Sequence, residues 1–365
     1  MTPDWDSIRA QFPALRHLTY LNTAGTGLIP ESMVDFMQQQ LGAYAQGGSR
    51  AFLQLLDRVE EVRELAARMI GADTGEVAFV PSVAIGMQYL ARMFGNLRTV
   101  AALADDFPTV RSAWELFGFT MHDFHALENG EIPLQTIANC PADILTISQV
   151  QWHTGYQIDP VAVGQLCRSR NQLFVLDSTQ SFGYQPIDVK SSQVDVLFVS
   201  GYKWMMGGFG NTLMYIRKEL LEANPQRIGW QFWEKDGNVL PTARRFELGH
   251  DRVFDILRTG HGLRFIEDIG QDLICRRVYA LNDYLRDRIT QDTSLQVYSN
   301  YKGAHRSAIT ILEGTEVTFQ QLQKRGIEVS LRGRGIRTSA HFYNSIDDID
   351  RFIEVLKDVS ANNHS

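Results

Sequence analysis

Four short stretches of the chain are almost continuously apolar. Such runs are typical of strands that are buried on both faces of a parallel sheet. Segments that suit helices, such as residues 161–168, separate them along the chain. The four apolar runs are residues 100–103, 144–147, 173–176 and 196–199. Strands that alternate with helices predict an α/β fold with a mostly parallel sheet.

Two stretches before residue 95 have the spacing of apolar residues that is typical of helices. One is "AFLQLLDRVEEVRELAARMIG", in which Gly71 is placed to end the helix. The other is "SVAIGMQYLARMF", which follows the strand-like "EVAFV". Ser82 is placed to cap the beginning of this second helix.

The last third of the chain has a different order of elements. "RSAITILE" is predicted as a strand, "TFQQLQKRG" as a short helix, and "IEVSLRGRGIRTSAHFY" as two strands around a glycine bend. An amphipathic helix follows, capped at Ser345, and a linking helix is expected between residues 254 and 289. This order predicts a small α+β domain beside a large domain, which suits a chain of 365 residues.

Composition excludes several classes of protein. The net charge of −7 argues against a nucleic-acid-binding surface and favours a soluble cytoplasmic protein. No signal peptide and no apolar stretch long enough to span a membrane are evident. The three cysteines, Cys140, Cys167 and Cys275, are far apart and have no CxxC spacing. They are expected to be reduced thiols, and no metal site is predicted.

Two ionisable residues end neighbouring predicted strands. Asp177 ends the run at 173–176, and Lys203 follows the run at 196–199. Taken alone, Asp177 suits an N-cap and Lys203 suits a side chain that emerges into solvent. Together they are one strand–connection–strand unit apart, so both side chains are able to reach the same edge of the sheet, where open α/β sheets bind ligands.

An anion site and a carboxylate site are also predicted. Free amides at the beginning of the Ser82 helix favour an anion, although any helix start offers them, and Ser200 and Tyr202 add hydroxyl groups. Arg332, Arg334 and Arg337 surround the glycine bend near residue 333. A guanidinium suits a substrate carboxylate. Arg337 is the better candidate, since Arg334 has the pattern of an exposed basic turn.

These features suit one cofactor, pyridoxal 5′-phosphate (PLP). Its aldehyde requires a lysine, its ring nitrogen requires a carboxylate, and its phosphate requires a helix N-terminus with hydroxyl groups.

The stretch "VLDSTQSFGYQPIDV…VDVLFVSGYKWMMGGFGNTLMYIRKE" resembles the class V aminotransferase family of fold-type I PLP enzymes. This family includes cysteine desulfurases, cyst(e)ine C–S lyases, isopenicillin N epimerase and kynureninase. "YLNTAGTGLIP", "DDFPTVRSAW" and "IRTSAHFYNSIDDIDRFIEVL" extend the resemblance over nearly the whole chain. It implies a seven-stranded type of sheet in a large domain at 15–250. It also implies a small domain made of 1–14 and 251–365.

The resemblance implies a role for each matching residue. Lys203 is expected to form the Schiff base and Asp177 to pair with the ring nitrogen. Arg337 is expected to bind the substrate carboxylate, and Arg332 and Asn22 are the further expected substrate contacts. His250 is expected to reach the phosphate in the neighbouring subunit of a homodimer. The remaining expected cofactor contacts are Ser82, Val83, Ala84, Phe107, Trp152, His153, Gln180, Ser200 and Tyr202.

The sequence departs from the family pattern around the cofactor. Phe107 stands where many relatives have a histidine that stacks on the ring, and Tyr202 stands where a histidine is frequent. Val83 and Ala84 replace hydroxyl residues beside the phosphate. The reaction is therefore less closely defined by the resemblance than the cofactor.

The absence of one cysteine limits the set of reactions that the resemblance favours. Cysteine desulfurases carry a mobile cysteine before the closing-strand arginine, whereas residues 304–337 contain none. The resemblance thus favours a lyase that eliminates from a β-substituted, cysteine-like amino acid bound to the cofactor as a Schiff base. Epimerisation and transamination stay open, as does a PLP-binding protein with little catalysis. A nucleotide-binding enzyme is disfavoured, because "GGFGN" is not a GxGxxG motif.

Overall fold

A computed structural model describes residues 3–225, 239–249 and 252–362. The helices in these ranges are α1 (Trp5–Ala10), α2 (Glu31–Gly47), α3 (Ser49–Ile70), α4 (Val83–Met93), α5 (Pro108–Leu116), α6 (Leu134–Ala138), α7 (Pro160–Ser169), α8 (Lys218–Ala223), α9 (Val253–Ile269), α10 (Gln271–Asp292), α11 (Glu316–Lys324) and α12 (Ile346–Asn362). The strands are β1 (Thr19–Tyr20), β2 (Val77–Val80), β3 (Thr99–Leu103), β4 (Thr120–Phe124), β5 (Ile144–Ser148), β6 (Leu173–Asp177), β7 (Val196–Ser200), β8 (Thr212–Ile216), β9 (Thr310–Glu313), β10 (Ile327–Glu328), β11 (Ser330–Arg332) and β12 (Gly335–Thr338).

Seven strands form the central sheet, in the order β2-β8-β7-β6-β5-β3-β4. Strand β8 runs antiparallel to both of its neighbours, whereas the other four pairings are parallel, so the sheet is mostly parallel. The four apolar runs are β3, β5, β6 and β7, as predicted. The α/β prediction is therefore confirmed.

Helices cover both faces of this sheet. Alternate strand residues pack against α3, α7 and α9 on one face and against α4 and α5 on the other. Burial on both faces explains why the strands are continuously apolar, since each fully buried aliphatic side chain contributes roughly 1.5–3 kcal/mol. Strand β4 was not anticipated from the sequence. It lies at the edge of the sheet and buries only Phe124 of its five residues, so it lacks an apolar run.

The last third forms a smaller unit with the predicted order of elements. Strands β9, β12 and β11 form an antiparallel sheet, and β1 pairs in parallel with β10. The Ser345 hydroxyl accepts a hydrogen bond from the Asp348 amide at 3.2 Å, as expected of a helix cap. The division at residues 14 and 250 stays a prediction.

The prediction of a single linking helix between residues 254 and 289 was wrong, because the structure has two helices there. Gly270 lies between α9 and α10 with φ = +94°, outside the helical region. Only glycine adopts this conformation readily, so it breaks the helix without interrupting the apolar spacing. Across the described ranges, no helix combines the length and apolar character that crossing a membrane requires.

Candidate active site

A cavity opens at the carboxyl edge of the central sheet. Asp177 ends β6, Ser200 ends the neighbouring parallel strand β7, and Lys203 follows three residues later. This topology brings the predicted pair to one edge. The residues that line the cavity are Ser82, Val83, Ala84, Phe107, Thr109, Ser148, Trp152, Asp177, Thr179, Gln180, Ser200, Tyr202 and Lys203.

Lys203 is held in a dry environment, with 7% of its surface exposed. Its Nζ lies 5.4 Å from the centre of the Tyr202 ring and 5.6 Å from that of Phe107. No hydrogen bond or ion pair joins it to any other described residue. Burial lowers the pKa of Lys203 to about 8, although the charge of Asp177 opposes this, while Arg337 and Arg332 reinforce it. About a tenth of the Lys203 amine is therefore neutral at pH 7, far more than for an ordinary lysine.

Asp177 is equally buried. Its Oδ1 accepts a hydrogen bond from the Thr179 amide at 2.8 Å. Burial raises the pKa of Asp177, and the bonds from Thr179 and the charge of Lys203 oppose that shift. A buried carboxylate with few donors has a high affinity for a cationic N–H group, which is what a protonated pyridine presents.

The beginning of α4 supplies free backbone donors. The Ser82 hydroxyl accepts the Ile85 amide at 3.2 Å, which confirms it as the N-cap. The amides of Val83 and Ala84 have no partner within the described part of the chain and lie at the cavity wall. With the hydroxyls of Ser200 and Tyr202, they suit a phosphate.

Two aromatic pairs and one amide shape the middle of the cavity. Phe107 meets Trp152 edge to face at 5.8 Å between ring centres, and Tyr202 stacks on Phe209 at 4.9 Å. Gln180 Nε2 donates to the Ala24 carbonyl at 3.0 Å. Its Oε1 accepts from Trp204 Nε1 at 3.1 Å, so its orientation is fixed.

Arg337 is buried close to this cavity. Its Nη1 donates to the Trp152 carbonyl at 3.0 Å and its Nη2 to the Ser330 hydroxyl at 3.4 Å. The Ser330 hydroxyl in turn donates to Asn22 Oδ1. Burial and the charge of Arg332 lower the pKa of Arg337 to about 10. Its Nε is buried and finds no partner among the described residues, which leaves a donor for an anionic ligand.

Among the predicted residues that the structure describes, Arg332 and His153 are absent from the cavity lining, as are Asn22 and Arg337. Arg332 is exposed, and its Nη1 donates to the neighbouring Leu331 carbonyl. His153 faces away, and its Nε2 lies 2.9 Å from Asp105 Oδ2. His250 lies outside the described residues. Contacts of Arg332, His153 and His250 with the cofactor or the substrate stay predictions.

Ser148 and Thr179 line the cavity but were missed by the sequence reasoning. Ser148 is the last residue of β5, directly opposite Asp177 in the strand register. The signal for it was the polar end of the apolar run 144–147. Thr179 accepts the Ser200 amide through its hydroxyl at 3.0 Å, which ties two strand ends together.

The residues of this cavity fit PLP. An amine, a buried carboxylate and unpaired amides at a helix N-terminus lie around one space, and a guanidinium with an unpaired Nε lies beside it, bonded to the Trp152 carbonyl. Within residues 3–225, 239–249 and 252–362, no group of three or more histidine, cysteine or acidic residues is placed to hold a metal.

Comparisons with known proteins agree with this arrangement. The Aminotransferase class-V family model matches residues 19–352. The uncharacterized aminotransferase YcbU of Bacillus subtilis is 27% identical, with 96% of each chain covered.

Solved structures share the fold. An apo cysteine desulfurase from Thermococcus onnurineus superposes with a TM-score of 0.89 at 20% identity, over 98% of both chains. The cystine C–S lyase C-DES, in complex with cysteine persulfide, gives 0.87 at 18% identity, over 95% of this chain and 99% of that one. The chain therefore belongs to the class V aminotransferase family, and it is a PLP-dependent enzyme.

Proposed function

We propose that the enzyme is a lyase that eliminates the β-substituent of a cysteine-like amino acid. One observation carries this proposal: the cavity offers an amine, a carboxylate and a nearby guanidinium, but none of the three thiols lines it. Similarity to proteins named cysteine desulfurase and cystine C–S lyase supports a cysteine-like substrate.

The thiols are poorly suited to carry sulfur. Cys167 is buried in α7, Cys275 is part of α10, and Cys140 follows α6. Burial raises the pKa of all three, that of Cys167 to about 12. Because the thiolate is the nucleophile, these side chains react slowly near neutral pH.

The segment before Arg337 has no room for a mobile cysteine loop. Strands β11 and β12 pair directly, with Arg332 opposite Gly335. Gly333 and Arg334 alone connect them, and Gly333 adopts φ = +52°. A tight hairpin therefore occupies the place where desulfurases carry their cysteine.

Bound PLP withdraws electrons from the α-carbon of an amino acid that is joined to its aldehyde. Asp177 would hold the ring nitrogen, the Val83 and Ala84 amides with Ser200 and Tyr202 would bind the phosphate, and Phe107 would shield the ring from water. Arg337 orients the substrate carboxylate. Lys203 Nζ would remove the α-proton of the substrate, because its lowered pKa of about 8 lets it act as a base closer to neutral pH than an ordinary lysine.

The net reaction balances without a redox partner. A β-substituted amino acid and water give the protonated leaving group, pyruvate and ammonium. Epimerisation is less well supported, because it requires a second proton donor. Among the described lining residues, the titratable side chains are Asp177, Tyr202 and Lys203, and burial raises the pKa of the Tyr202 phenol.

We also propose a cytoplasmic homodimer with shared active sites. Apolar side chains of α2 and α3 are exposed, among them Leu41, Tyr44 and Leu53. Phe209, which stacks on Tyr202, is 61% exposed. Exposed apolar residues beside a ligand site favour a covering partner.

The experiment is to incubate the holoenzyme with cystine, cysteine, O-acetylserine and β-chloroalanine, and to measure pyruvate and ammonium. A variant in which Cys140, Cys167 and Cys275 are all replaced by serine should form both products at nearly the wild-type rate. Loss of turnover in a triple variant that still folds would contradict the proposal. A persulfide on any cysteine of the wild-type enzyme during turnover would contradict it as well. Racemised substrate without pyruvate would favour an epimerase, and a requirement for a keto acid acceptor would favour transamination. Binding without turnover of any substrate would favour a role with little catalysis.

A further inference from the structure

A second aspartate lies behind the cavity wall. Asp106 follows β3 at the carboxyl edge of the sheet and is 4% exposed. It is absent from the cavity lining, yet its neighbours Phe107 and Ser148 both belong to that lining. A buried carboxylate is costly unless it is bound by donors, so its surroundings indicate its use.

Four donors surround the Asp106 carboxylate. Oδ1 accepts from the Phe107 amide at 2.7 Å and from the Ser148 hydroxyl at 2.6 Å. Oδ2 accepts from the Ser148 amide at 2.8 Å and from Gln151 Nε2 at 3.4 Å. Burial raises the pKa of Asp106, and the hydrogen bonds from Ser148, Phe107 and Gln151 oppose that shift. Donors on both oxygens favour the ionised carboxylate, because a protonated oxygen would itself have to donate. All four donors are neutral, so the negative charge is not cancelled locally.

Asp106 is coupled to Asp177 through the sheet. Ser148, which it holds by two bonds, stands directly opposite Asp177 in the β5–β6 register. The negative charge of Asp106 contributes to raising the pKa of Asp177. The same field favours any positive charge on the ring nitrogen or on the nitrogen of Lys203 that is bonded to the cofactor.

We propose that Asp106 is a positioning residue whose ionised carboxylate fixes Ser148 and the peptide of Phe107 and helps Asp177 to keep the proton on the cofactor's ring nitrogen. This role rests on PLP binding and is independent of which reaction the enzyme catalyses. Asp106 does not touch the substrate.

The charged groups around the cofactor nitrogens are few. Asp177 and Asp106 favour protonation, and Arg337 and Arg332 oppose it. The Tyr202 phenol is neutral near pH 7, because burial raises its pKa. Removal of one of the two negative charges should therefore lower the pH at which the bound cofactor loses its proton.

The test is the pH titration of the visible absorbance band of PLP in the holoenzyme. Asp106→Asn retains the shape and an acceptor oxygen but removes the charge. The midpoint of the absorbance titration in this variant should shift toward acid by about one pH unit, as expected when a charge some ångströms away in a protein interior is removed. Asp106→Glu should restore the wild-type midpoint in part.

Asp195→Asn is the matched control. Asp195 is also buried, and it accepts the Phe174 amide and Arg217 Nε, each at 2.8 Å, but it precedes β7 at the opposite edge of the sheet. This variant should lower the melting temperature without moving the titration midpoint. A midpoint in Asp106→Asn equal to that of the wild type would overturn the proposal and leave Asp106 a purely structural residue.

A second variant covers the case in which Asp106→Asn does not fold. Ser148→Ala removes one donor and leaves the carboxylate in place, so Asp106 should bind a proton more readily. The midpoint should move toward acid by a smaller amount than one unit. An unchanged midpoint in Ser148→Ala would then count against the proposal.

Discussion

Gly27 lies directly against the carbonyl group of Lys203. A β-carbon at residue 27 would stand 2.0 Å from that oxygen, well inside van der Waals contact. The Gly27 amide also donates to the neighbouring Tyr202 carbonyl at 2.8 Å. The segment that follows β1 therefore fixes the backbone from which the Lys203 side chain extends.

Gly27→Ala should displace this backbone and misalign Lys203. We expect kcat to fall by at least about tenfold and the free energy of unfolding to fall by roughly 1–3 kcal/mol, as for other overpacked sites. Steady-state kinetics and chemical denaturation measure both. Gly42→Ala is the control, since nothing lies within 4 Å of a β-carbon there and it is part of helix α2. Equal kinetics in the two variants would contradict the assignment.

Lys203 should be the residue that carries PLP. Borohydride reduction of the holoenzyme followed by peptide mapping should find the pyridoxyl group on Lys203. Lys203→Ala should bind PLP without a covalent link and should lose turnover. A label on Lys190 or Lys218, both largely exposed, would show that the assignment is wrong.

Asp177→Ala should impair turnover far more than folding. A hydrogen bond to a charged group is worth roughly 1.5–3 kcal/mol, so kcat should fall by about 10- to 150-fold. Asp177→Asn tests the charge with less change in shape. Unchanged turnover in both variants would refute its role at the ring nitrogen.

Arg337→Ala should raise KM strongly while PLP stays bound. Loss of a charge-assisted contact predicts a rise of roughly 10- to 150-fold. Arg337→Lys should recover little, because an ammonium lacks the planar fork. Arg334→Ala is the neighbouring control, since Arg334 is exposed and bonds to the Glu128 carbonyl. Loss of cofactor with an unchanged KM would make Arg337 structural.

Cofactor loading should depend on pH through the Lys203 amine. The neutral amine attacks the aldehyde, so the rate at which apoenzyme binds PLP covalently should rise with pH and level off above about 8. In the unfolded chain the lysine titrates near 10.4, so the unfolded state binds more protons between these values. This group should therefore make the apoenzyme more stable as pH rises from about 8 to 10.4, relative to Lys203→Met. A rate that climbs only near pH 10 would contradict the lowered pKa.

The sequence predicted those features that depend on local pattern. Apolar runs located β3, β5, β6 and β7, and the order of strands placed Asp177 and Lys203 at one edge. Strand β4 escaped notice because an edge strand needs no apolar run. The helix break at Gly270 was not predicted, because it does not change the periodicity of the apolar residues.

Site residues that depend on three-dimensional packing were harder to predict from the sequence. Ser148 and Asp106 act across strands that are more than forty residues apart, as their hydrogen bonds show. His153 was expected at the cofactor because, with Trp152, it stands where relatives often have an asparagine that contacts the cofactor; in the structure its Nε2 lies 2.9 Å from Asp105 Oδ2. The orientation of a side chain is set by its partners, and one sequence does not name them.

The pairing of β1 with β10, and of Asn22 with Ser330, has a consequence for the order in which a ribosome delivers the protein. Once residue 216 has emerged, all seven strands of the large sheet, Asp177 and Lys203 are available. Arg337, Ser330 and the strand that receives Thr19–Tyr20 are synthesised more than a hundred residues later. Because domains fold as units during synthesis, the growing chain possesses Asp177 and Lys203, the residues proposed to hold the cofactor, before Arg337, the residue proposed to bind the substrate. With these roles, specificity for the amino acid is the last property that a newly made molecule acquires.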